Sequence, residues 1–249
     1  MTKWEVCVLI LGRVRAEESM MVRYKSGRML CGKYISLAAT DGTHRVIIDT
    51  GTRNPTPSRN PDYFQFEQNR EEHLEPALRK HLGWSLDSVD TVINTHLHSD
   101  HCGGNYLFPN ALFYIQRAEW EAAQALTEQD KFYYEPSDYG KKQISCFQWR
   151  FLDGDCDLFP GLRLIQTPGH TPGSQSVLLN TAEGTLCFAG DAVPTRRNMD
   201  EDLEPGISVD GRAALRSIAL IRRYADFVLC GHDDLPYSGM RRNFYPISN

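Results

Sequence analysis

The residues of this chain best suited to chemistry are histidines and aspartates at short spacing. His96, His98, Asp100 and His101 lie within the six-residue stretch His-Leu-His-Ser-Asp-His. Imidazole nitrogens and carboxylate oxygens are the side-chain atoms that hold zinc-like divalent cations. Four such groups this close together cannot all reach one ion with unstrained geometry, so the stretch favours two neighbouring ions.

Three further groups of the same kind follow at long intervals, each next to a glycine. They are His170 in Gly-His-Thr-Pro-Gly, Asp191 in Ala-Gly-Asp and His232 in Cys-Gly-His-Asp. Together with the first four, these side chains suit two divalent ions that share one carboxylate. A pair of close metal ions is typical of enzymes that catalyse hydrolysis.

Asp49 comes at the end of the apolar stretch 44–49 and has two interpretations. It is either the first residue of an Asx turn at Asp-Thr-Gly, or a carboxylate behind the metal site that orients a ligand histidine. The sequence alone favours neither.

Candidate substrate contacts lie close to these groups in the chain. Arg196 and Arg197 follow Asp191 by five and six residues, and they either bind a substrate carboxylate or are exposed surface charges. Tyr237 follows His232 and could line the pocket. Aromatic residues that form either an apolar wall or ordinary packing contacts are Phe64, Phe66, Tyr133 and Tyr134.

The elements that position these groups alternate between strand and helix patterns. We predict strands at 4–12, 33–39, 44–49, 89–95, 111–116, 149–153, 162–166, 175–180, 185–189 and 225–230. We predict helices at 70–82, 117–126 and 211–224, the last one capped by Asp210, with a loop at 52–68 and a lid-like segment at 127–148. Each ligand-type residue then follows a strand, where loops gather at one edge of a layered fold.

Composition limits the class of protein further. A length of 249 residues suits a single domain spanning 1–249. The net charge of −5 gives no reason to expect a nucleic acid partner, and no apolar run is long enough for a membrane helix. The 7 cysteines include no Cys-x-x-Cys pair, which indicates reduced thiols in a cytoplasmic protein.

The motif at 96–101, with its later His, Asp and His, resembles the metallo-β-lactamase superfamily, and the resemblance runs from Asp49 to Asp233. It implies an α+β fold, a four-layer αββα sandwich with a dinuclear metal site at one edge of the sheets. It also implies that one ion is held by His96, His98 and His170. The other ion would be held by Asp100, His101 and His232, with Asp191 as the bridge.

Within this superfamily the chain is most similar to the N-acyl homoserine lactonase branch. The similar stretches are 96–105, 108–111, 116–120 and 167–176. That branch often carries a tyrosine shortly after the bridging aspartate, where its hydroxyl helps to bind the lactone carbonyl. Here the stretch from Asp191 reads Asp-Ala-Val-Pro-Thr-Arg-Arg, and Pro194 can donate no hydrogen bond.

We therefore expect a metal-dependent hydrolase that opens a small lactone by attack of a metal-bridging hydroxide. Asp191 or Asp100 would orient the hydroxide and pass a proton to the leaving oxygen. Two divalent ions are expected as cofactors, zinc first, with iron, manganese or cobalt as alternatives.

Other functions remain open on the same residues. One alternative is hydrolysis of a thioester, a phosphodiester, or another ester or amide. The non-hydrolytic alternatives are an iron redox protein and a non-catalytic metal-binding module. Expected partners are a small lactone or ester substrate and a second copy of the chain in a homodimer, without nucleic acid or membrane.

Overall fold

Two β-sheets pack face to face, and helices cover their outer faces. The structure, a computed structural model, describes residues 2–53, 64–128, 130–140 and 147–234, and the backbone of 245–246. Separate apolar clusters lie between the sheets and on the outer face of each sheet. The predicted α+β, four-layer αββα sandwich is therefore confirmed.

The first sheet has seven strands in the order β4-β1-β2-β3-β5-β6-β7. Their bounds are β1 Glu5–Glu17, β2 Met29–Thr40, β3 Arg45–Ile48, β4 Phe64–Glu67, β5 Thr91–Ile93, β6 Leu112–Gln116 and β7 Gln148–Leu152. Strands β3, β5, β6 and β7 run parallel to one another. The carboxyl ends of β3 and β5 therefore meet at one edge, and they lead to Asp49 and to the 96–101 motif.

The second sheet has the order β13-β12-β11-β10-β9-β8. Its strands are β8 Cys156–Phe159, β9 Leu162–Gln166, β10 Gln175–Asn180, β11 Thr185–Gly190, β12 Phe227–Cys230 and β13 Tyr245–Pro246. Strands β11 and β12 are parallel, and two helices separate them in the chain. Asp191 and His232 follow these two strands and so emerge at the same edge of the sheet.

The long strand β1 shows why the sheets must be enclosed on both faces. Its residues Val6, Val8 and Ile10 pack into the cluster between the two sheets. The alternate residues Cys7, Leu9 and Leu11 pack into the cluster beneath the outer helices. Since successive side chains of a strand point to opposite faces, a strand that is apolar throughout needs cover on both sides.

The helices supply that cover. They are α1 Glu18–Met21, α2 Leu74–Leu82, α3 Ser99–Cys102, α4 Arg117–Gln124, α5 Pro136–Tyr139, α6 Arg196–Asp200 and α7 Gly211–Tyr224. Helix α2 buries Leu74, Ala77 and Leu78 against the first sheet, and α7 buries Ile218 and Ile221 against the second. Within the described segments, no helix has the length and apolar character of a membrane span.

The predicted strands and helices agree best with the structure where one pattern of apolar residues continues without interruption. The strands at 162–166 and 175–180 and the helix at 211–224 are confirmed. The predicted loop at 52–68 contains β4, which pairs with Arg13–Ala16 of β1 in a part of that strand beyond its predicted end. This short strand depends on pairing with a distant segment, so no local pattern reveals it.

Asp210 begins helix α7 and provides a test of this element. Its carboxylate accepts a hydrogen bond from the backbone N–H of Ala213 at 3.0 Å. We expect Asp210→Ala to lower the free energy of unfolding by about 1 kcal/mol, whereas Asp210→Asn keeps the cap and changes it little. Urea denaturation of the three proteins checks this, and equal midpoints for all three would contradict the assignment of the cap.

Candidate metal centre

The sandwich brings the seven predicted side chains together at one edge. The 96–101 motif follows β5, Asp191 follows β11, His232 follows β12, and His170 lies in the turn between β9 and β10. Their nitrogen and oxygen atoms form overlapping groups, each within 4.8 Å, made of His96, His98 and His170, of His96, His101 and Asp191, and of Asp100, His101 and His232. Residues far apart in the chain therefore converge on a site that is almost completely buried.

Asp191 lies between the group of His96, His98 and His170 and the group of Asp100, His101 and His232. Its Oδ2 atom is 3.4 Å from His170 Nε2. Its Oδ1 atom faces the other way, 3.2 Å from His232 Nε2 and 3.4 Å from His101 Nε2. The two oxygens of one carboxylate thus face different histidine groups, as the role of a bridge requires.

The separations within each group suit a shared cation. His98 Nδ1 and His170 Nε2 are 3.0 Å apart, and His101 Nε2 and His232 Nε2 are 3.3 Å apart. The Oδ2 atom of Asp100 is 3.4 Å from His232 Nε2. Two ligands of one tetrahedral zinc, each about 2.0–2.1 Å from the ion, lie about 3.3 Å from each other.

Two buried atoms at the centre have no hydrogen-bond partner in the described part of the chain. They are Nε2 of His96 and Oδ1 of Asp191. Burying a polar atom without a partner is costly, and such atoms call for an explanation. A divalent cation would satisfy both, so the residues present fit a metal pair.

The ring nitrogens that face away from the centre are held by other groups. Nδ1 of His170 is 2.7 Å from the carbonyl oxygen of Ile207, and Nδ1 of His232 is 3.1 Å from that of Lys33. Since a carbonyl only accepts, each of these nitrogens carries the proton and Nε2 is left to bind a cation. His98 is the exception, because its Nδ1 atom faces His170.

Asp49 takes the position that the second of its two interpretations requires. Its Oδ2 atom is 2.8 Å from Nδ1 of His101. Its two oxygens also accept hydrogen bonds from the backbone N–H and the hydroxyl of Thr95, at 2.7 and 2.8 Å. The backbone of Asp49 has a φ of 57°, an uncommon value for a residue with a side chain. The bend directs its carboxylate beneath the site.

Burial and neighbouring charges act in opposite directions on the pKa values of the site. Burial alone would lower the pKa of His232, but the carboxylates of Asp191 and Asp100 raise it to about 10. Burial likewise opposes protonation of His101, yet Asp100, Asp191 and Asp49 raise its pKa well above the usual value. Burial would raise the pKa of Asp191, but His232 and His101 hold it well below its usual value. Without a metal, protons on these rings take the place of the cation.

The predicted aromatic contacts Phe64, Phe66, Tyr133 and Tyr134 line a cavity above this centre, but the two predicted arginine contacts do not. Arg196 pairs with Asp200 at 3.0 Å, and Arg197 pairs with Glu18 and Glu201. Neither arginine lines the cavity above the centre. Their role in binding an acidic substrate stays a prediction. Tyr237 lies outside the described residues.

Two residues of the site escaped the sequence analysis. The first is Tyr34 on β2, whose ring lies 4.6 Å from that of Phe66 and 5.3 Å from that of His232. Burial, together with Asp100 and Asp191, raises the pKa of its hydroxyl well above the usual value. The second is Glu119 on α4, which is completely buried. Glu119 lies in the stretch 116–120, which is similar to the N-acyl homoserine lactonase branch. That similarity was the one signal in the sequence that pointed to this residue.

A cavity of about 1200 Å³ opens above the candidate ligands. Asp100, Asp191 and His232 line it on the side of the centre, and Tyr34 lies beside them. The apolar residues of its walls include Met20, Met21, Phe64, Phe66, Phe132 and Val209. The cavity therefore combines a polar end with apolar walls, as is typical of small-molecule sites.

Comparison with known proteins agrees with this geometry. The model of the metallo-beta-lactamase superfamily matches residues 30–232, most of the chain and all seven candidate ligands. The chain belongs to the metallo-beta-lactamase superfamily.

Similar proteins include N-acyl homoserine lactonases. One from Bacillus cereus is 34% identical over 201 residues, which cover 76% of each chain. Another, AttM from Rhizobium radiobacter, is 32% identical over 174 residues, covering 66% of this chain and 65% of its own. A solved N-acyl homoserine lactone hydrolase with the product N-hexanoyl-L-homoserine at its catalytic metal centre superimposes with a TM-score of 0.79, at 25% identity and 94% coverage of both chains.

The charges of the site predict how metal binding depends on pH. The pKa of His232 is about 10 and that of His101 is also raised, so both rings are protonated at pH 7 in the metal-free protein. A histidine must be neutral to bind a metal, so loading at pH 7 should release about two protons, and metal affinity should increase from pH 6 to pH 9. Calorimetry in buffers of different ionisation enthalpy measures this release. An affinity that decreases with pH would contradict the prediction.

Proposed function

We propose that this chain is a metal-dependent hydrolase that opens lactones carrying an apolar side arm. The observation that carries the proposal is Asp191, whose two oxygens face separate histidine groups at one end of the large, apolar-walled cavity. Membership of the superfamily and the similarity to N-acyl homoserine lactonases support the same reaction.

The proposed cofactor is a pair of divalent ions, with zinc as the first candidate. His96, His98 and His170 would hold one ion, Asp100, His101 and His232 the other, and Asp191 both. When bound, such a pair supplies a Lewis acid for the carbonyl oxygen and brings the pKa of water to about 7.

Asp100 is placed to move the proton that hydrolysis requires. Its side chain is 26% exposed, the largest exposure among the acidic side chains of the centre, and it lines the cavity. Burial opposes its ionisation, but His101 and His232 lower the pKa of this carboxyl, so it is ionised at neutral pH and has an oxygen that can hold a proton in transit. In lactone opening, water adds to the carbonyl carbon and the ring C–O bond breaks. Asp100, or Asp191 beside it, would then pass the proton of the water to the ring oxygen, giving one hydroxy acid.

The size of the cavity argues for a substrate larger than a bare lactone ring. A volume of about 1200 Å³ lies above the usual range for small-molecule sites, and its apolar walls extend to Met20, Phe132 and Val209. An apolar arm attached to the ring would bury its surface there. The relatives named as N-acyl homoserine lactonases support an acyl chain as this arm.

Tyr34 is placed to supply the hydroxyl that is missing after Asp191. It lines the cavity near His232, and its ring is fixed by contacts with Phe66 and His232. A phenol is protonated at neutral pH and can donate a hydrogen bond. We assign to this hydroxyl the donation of a hydrogen bond to the lactone carbonyl, from a different strand than in the N-acyl homoserine lactonase branch.

A substrate panel tests the proposal. We expect the metal-loaded protein to open N-hexanoyl homoserine lactone at least about 10-fold more efficiently than γ-butyrolactone, because burying an apolar arm adds more than 1.4 kcal/mol of binding. Chelation of the metal should abolish the reaction, and added zinc should restore it. The measurement is proton release in weakly buffered solution.

The same panel includes a thioester and a phosphodiester. Faster hydrolysis of either one than of any lactone would replace the proposal with that alternative. Lactone opening that persists in protein shown by elemental analysis to hold no metal would refute the metal-dependent reaction.

A single substitution tests the role of Tyr34. We expect Tyr34→Phe to lower kcat for the lactone about 100-fold, with little change in KM, because the lost donor acts on the developing charge of the carbonyl oxygen. Bound metal should stay as in the unmodified protein. Tyr224→Phe is the matched control, since it removes the same hydroxyl from an exposed position at the end of α7. Equal kcat for the two variants would exclude this role.

A further inference from the structure

Glu119 is a buried carboxylate that the chemistry proposed above does not use. It lies on α4, directly after β6, and its side chain has no exposure to solvent. It accepts four hydrogen bonds, all from neutral donors. Placing an acidic side chain in such surroundings is expensive, so its presence calls for an explanation.

Its two oxygens contact the hydroxyl of Tyr134 and two other segments of the chain. Oε1 accepts from the backbone N–H of Leu97 at 3.0 Å and from the hydroxyl of Tyr134 at 2.9 Å. Oε2 accepts from the hydroxyl of Thr171 at 2.6 Å and from the backbone N–H of Gly173 at 3.2 Å. The carboxylate therefore connects the loop after β5 with the turn before β10.

Both of these segments carry candidate metal ligands of one group. Leu97 lies between His96 and His98, and Thr171 directly follows His170. These three histidines form the group that would hold one of the two ions. The hydroxyl of Tyr134 adds a third contact, because its ring packs edge-on against His98 with 4.6 Å between the ring centres.

We propose that Glu119 is a positioning residue that fixes the 96–98 loop relative to the 170–173 turn and thereby shapes one half of the metal pair. The proposal rests on the metal pair of the proposed function. Glu119 would act through backbone and hydroxyl groups, and it is not among the candidate ligands.

The packing around Gly173 shows how closely these segments are joined. A side-chain carbon on Gly173 would lie 2.0 Å from the backbone nitrogen of Glu119, which is closer than any real contact. The 170–173 turn therefore rests directly on the first turn of α4. With the backbones in contact, a change in the Glu119 side chain is passed on to the position of His170.

The other half of the site has a carboxylate of its own. Asp49 contacts the ring of His101 directly and binds Thr95, so it supports the group that contains Asp100 and His232. Asp49 also reaches the first group through Thr95, whose hydroxyl lies 3.0 Å from Nδ1 of His96. Replacing Asp49 should therefore weaken mainly the second ion, whereas replacing Glu119 should weaken only the first. A residue that contributed only to general folding would not weaken one ion selectively.

An amide at position 119 keeps the shape but not the hydrogen bonds. Glutamine offers one accepting oxygen and one NH₂ donor, whereas Glu119 uses both oxygens as acceptors. Whichever way the amide turns, its NH₂ group faces the N–H of Leu97 or of Gly173, and neither backbone donor can rotate away. Removing a supporting contact of this kind typically costs 10- to 100-fold in metal affinity.

The test is a zinc titration of the full-length, metal-stripped protein against a competing chelator, which gives two binding constants. We expect Glu119→Gln to weaken one constant about 10- to 100-fold and to leave the other within about 2-fold. Asp49→Asn should weaken mainly the second constant, and the double variant should weaken both. The matched control is Glu72→Gln, which removes a buried carboxylate that caps the short 3₁₀ turn Arg70–Glu72 together with Asn69, outside the site.

Two results would overturn the proposal. One is a pair of unchanged constants in Glu119→Gln, and the other is an equal loss in both constants together with a lower unfolding temperature. If Glu119→Gln does not fold, Thr171→Val replaces it, because it keeps the shape and removes the 2.6 Å hydrogen bond. That variant should weaken the same constant by a smaller factor. The absence of a selective loss in Thr171→Val would count against the proposal.

Failure of the proposed function gives a different result. If the unmodified protein binds two ions and Glu119→Gln selectively loses one, the positioning role stands even where no lactone is opened. If the unmodified protein binds no ion pair, both proposals fail.

Discussion

The carboxylate of Asp191, shared between two groups of histidines, is the interaction on which the rest of the site depends. One oxygen faces His170 and the other faces His101 and His232, all within 3.2–3.4 Å. The contact is possible only because residue 231 has no side chain, since a carbon there would lie 2.3 Å from Oδ1 of Asp191. The charge of this buried carboxylate is compensated by positive charge, which protons on the rings or bound cations provide. The two histidine groups are therefore held around a single shared charge.

This concentration of polar groups is stable because its outer side is also satisfied. The backbone carbonyls of Ile207 and Lys33 and the carboxylate of Asp49 bind ring nitrogens that face away from the centre. Glu119 joins the loops that carry the other histidines. These supports come from strand β2, from the end of strand β3, from helix α4 and from the segment before helix α7. The geometry of the site is thus inseparable from the packing of one sheet on the other.

The metal centre and the cavity above it are built from different parts of the chain. The candidate ligands follow strands whose positions the packed core determines. The cavity walls come from α1, β4, the 130–134 segment and residues 207–209, which lie at the margin of the sandwich. Substitutions in these walls can change which substrate fits without moving the ligands, because loops and short elements tolerate change better than core strands. The same centre can therefore serve different substrates within this superfamily.

The sequence by itself determined the elements with unbroken periodicity and the set of seven side chains, because residue type and local spacing are enough to define both. The strands at 162–166 and 175–180, helix α7 and the 96–101 motif are of this kind. Only the tertiary structure decided which group each residue joins and what supports it. Asp49 and His101 are 52 residues apart, and Glu119 and Thr171 are also 52 apart. The hydroxyl of Tyr34 and the pairing of β4 with β1 likewise depend on distant segments. Such contacts arise when two sheets close over a common core, and no local pattern in the chain encodes them.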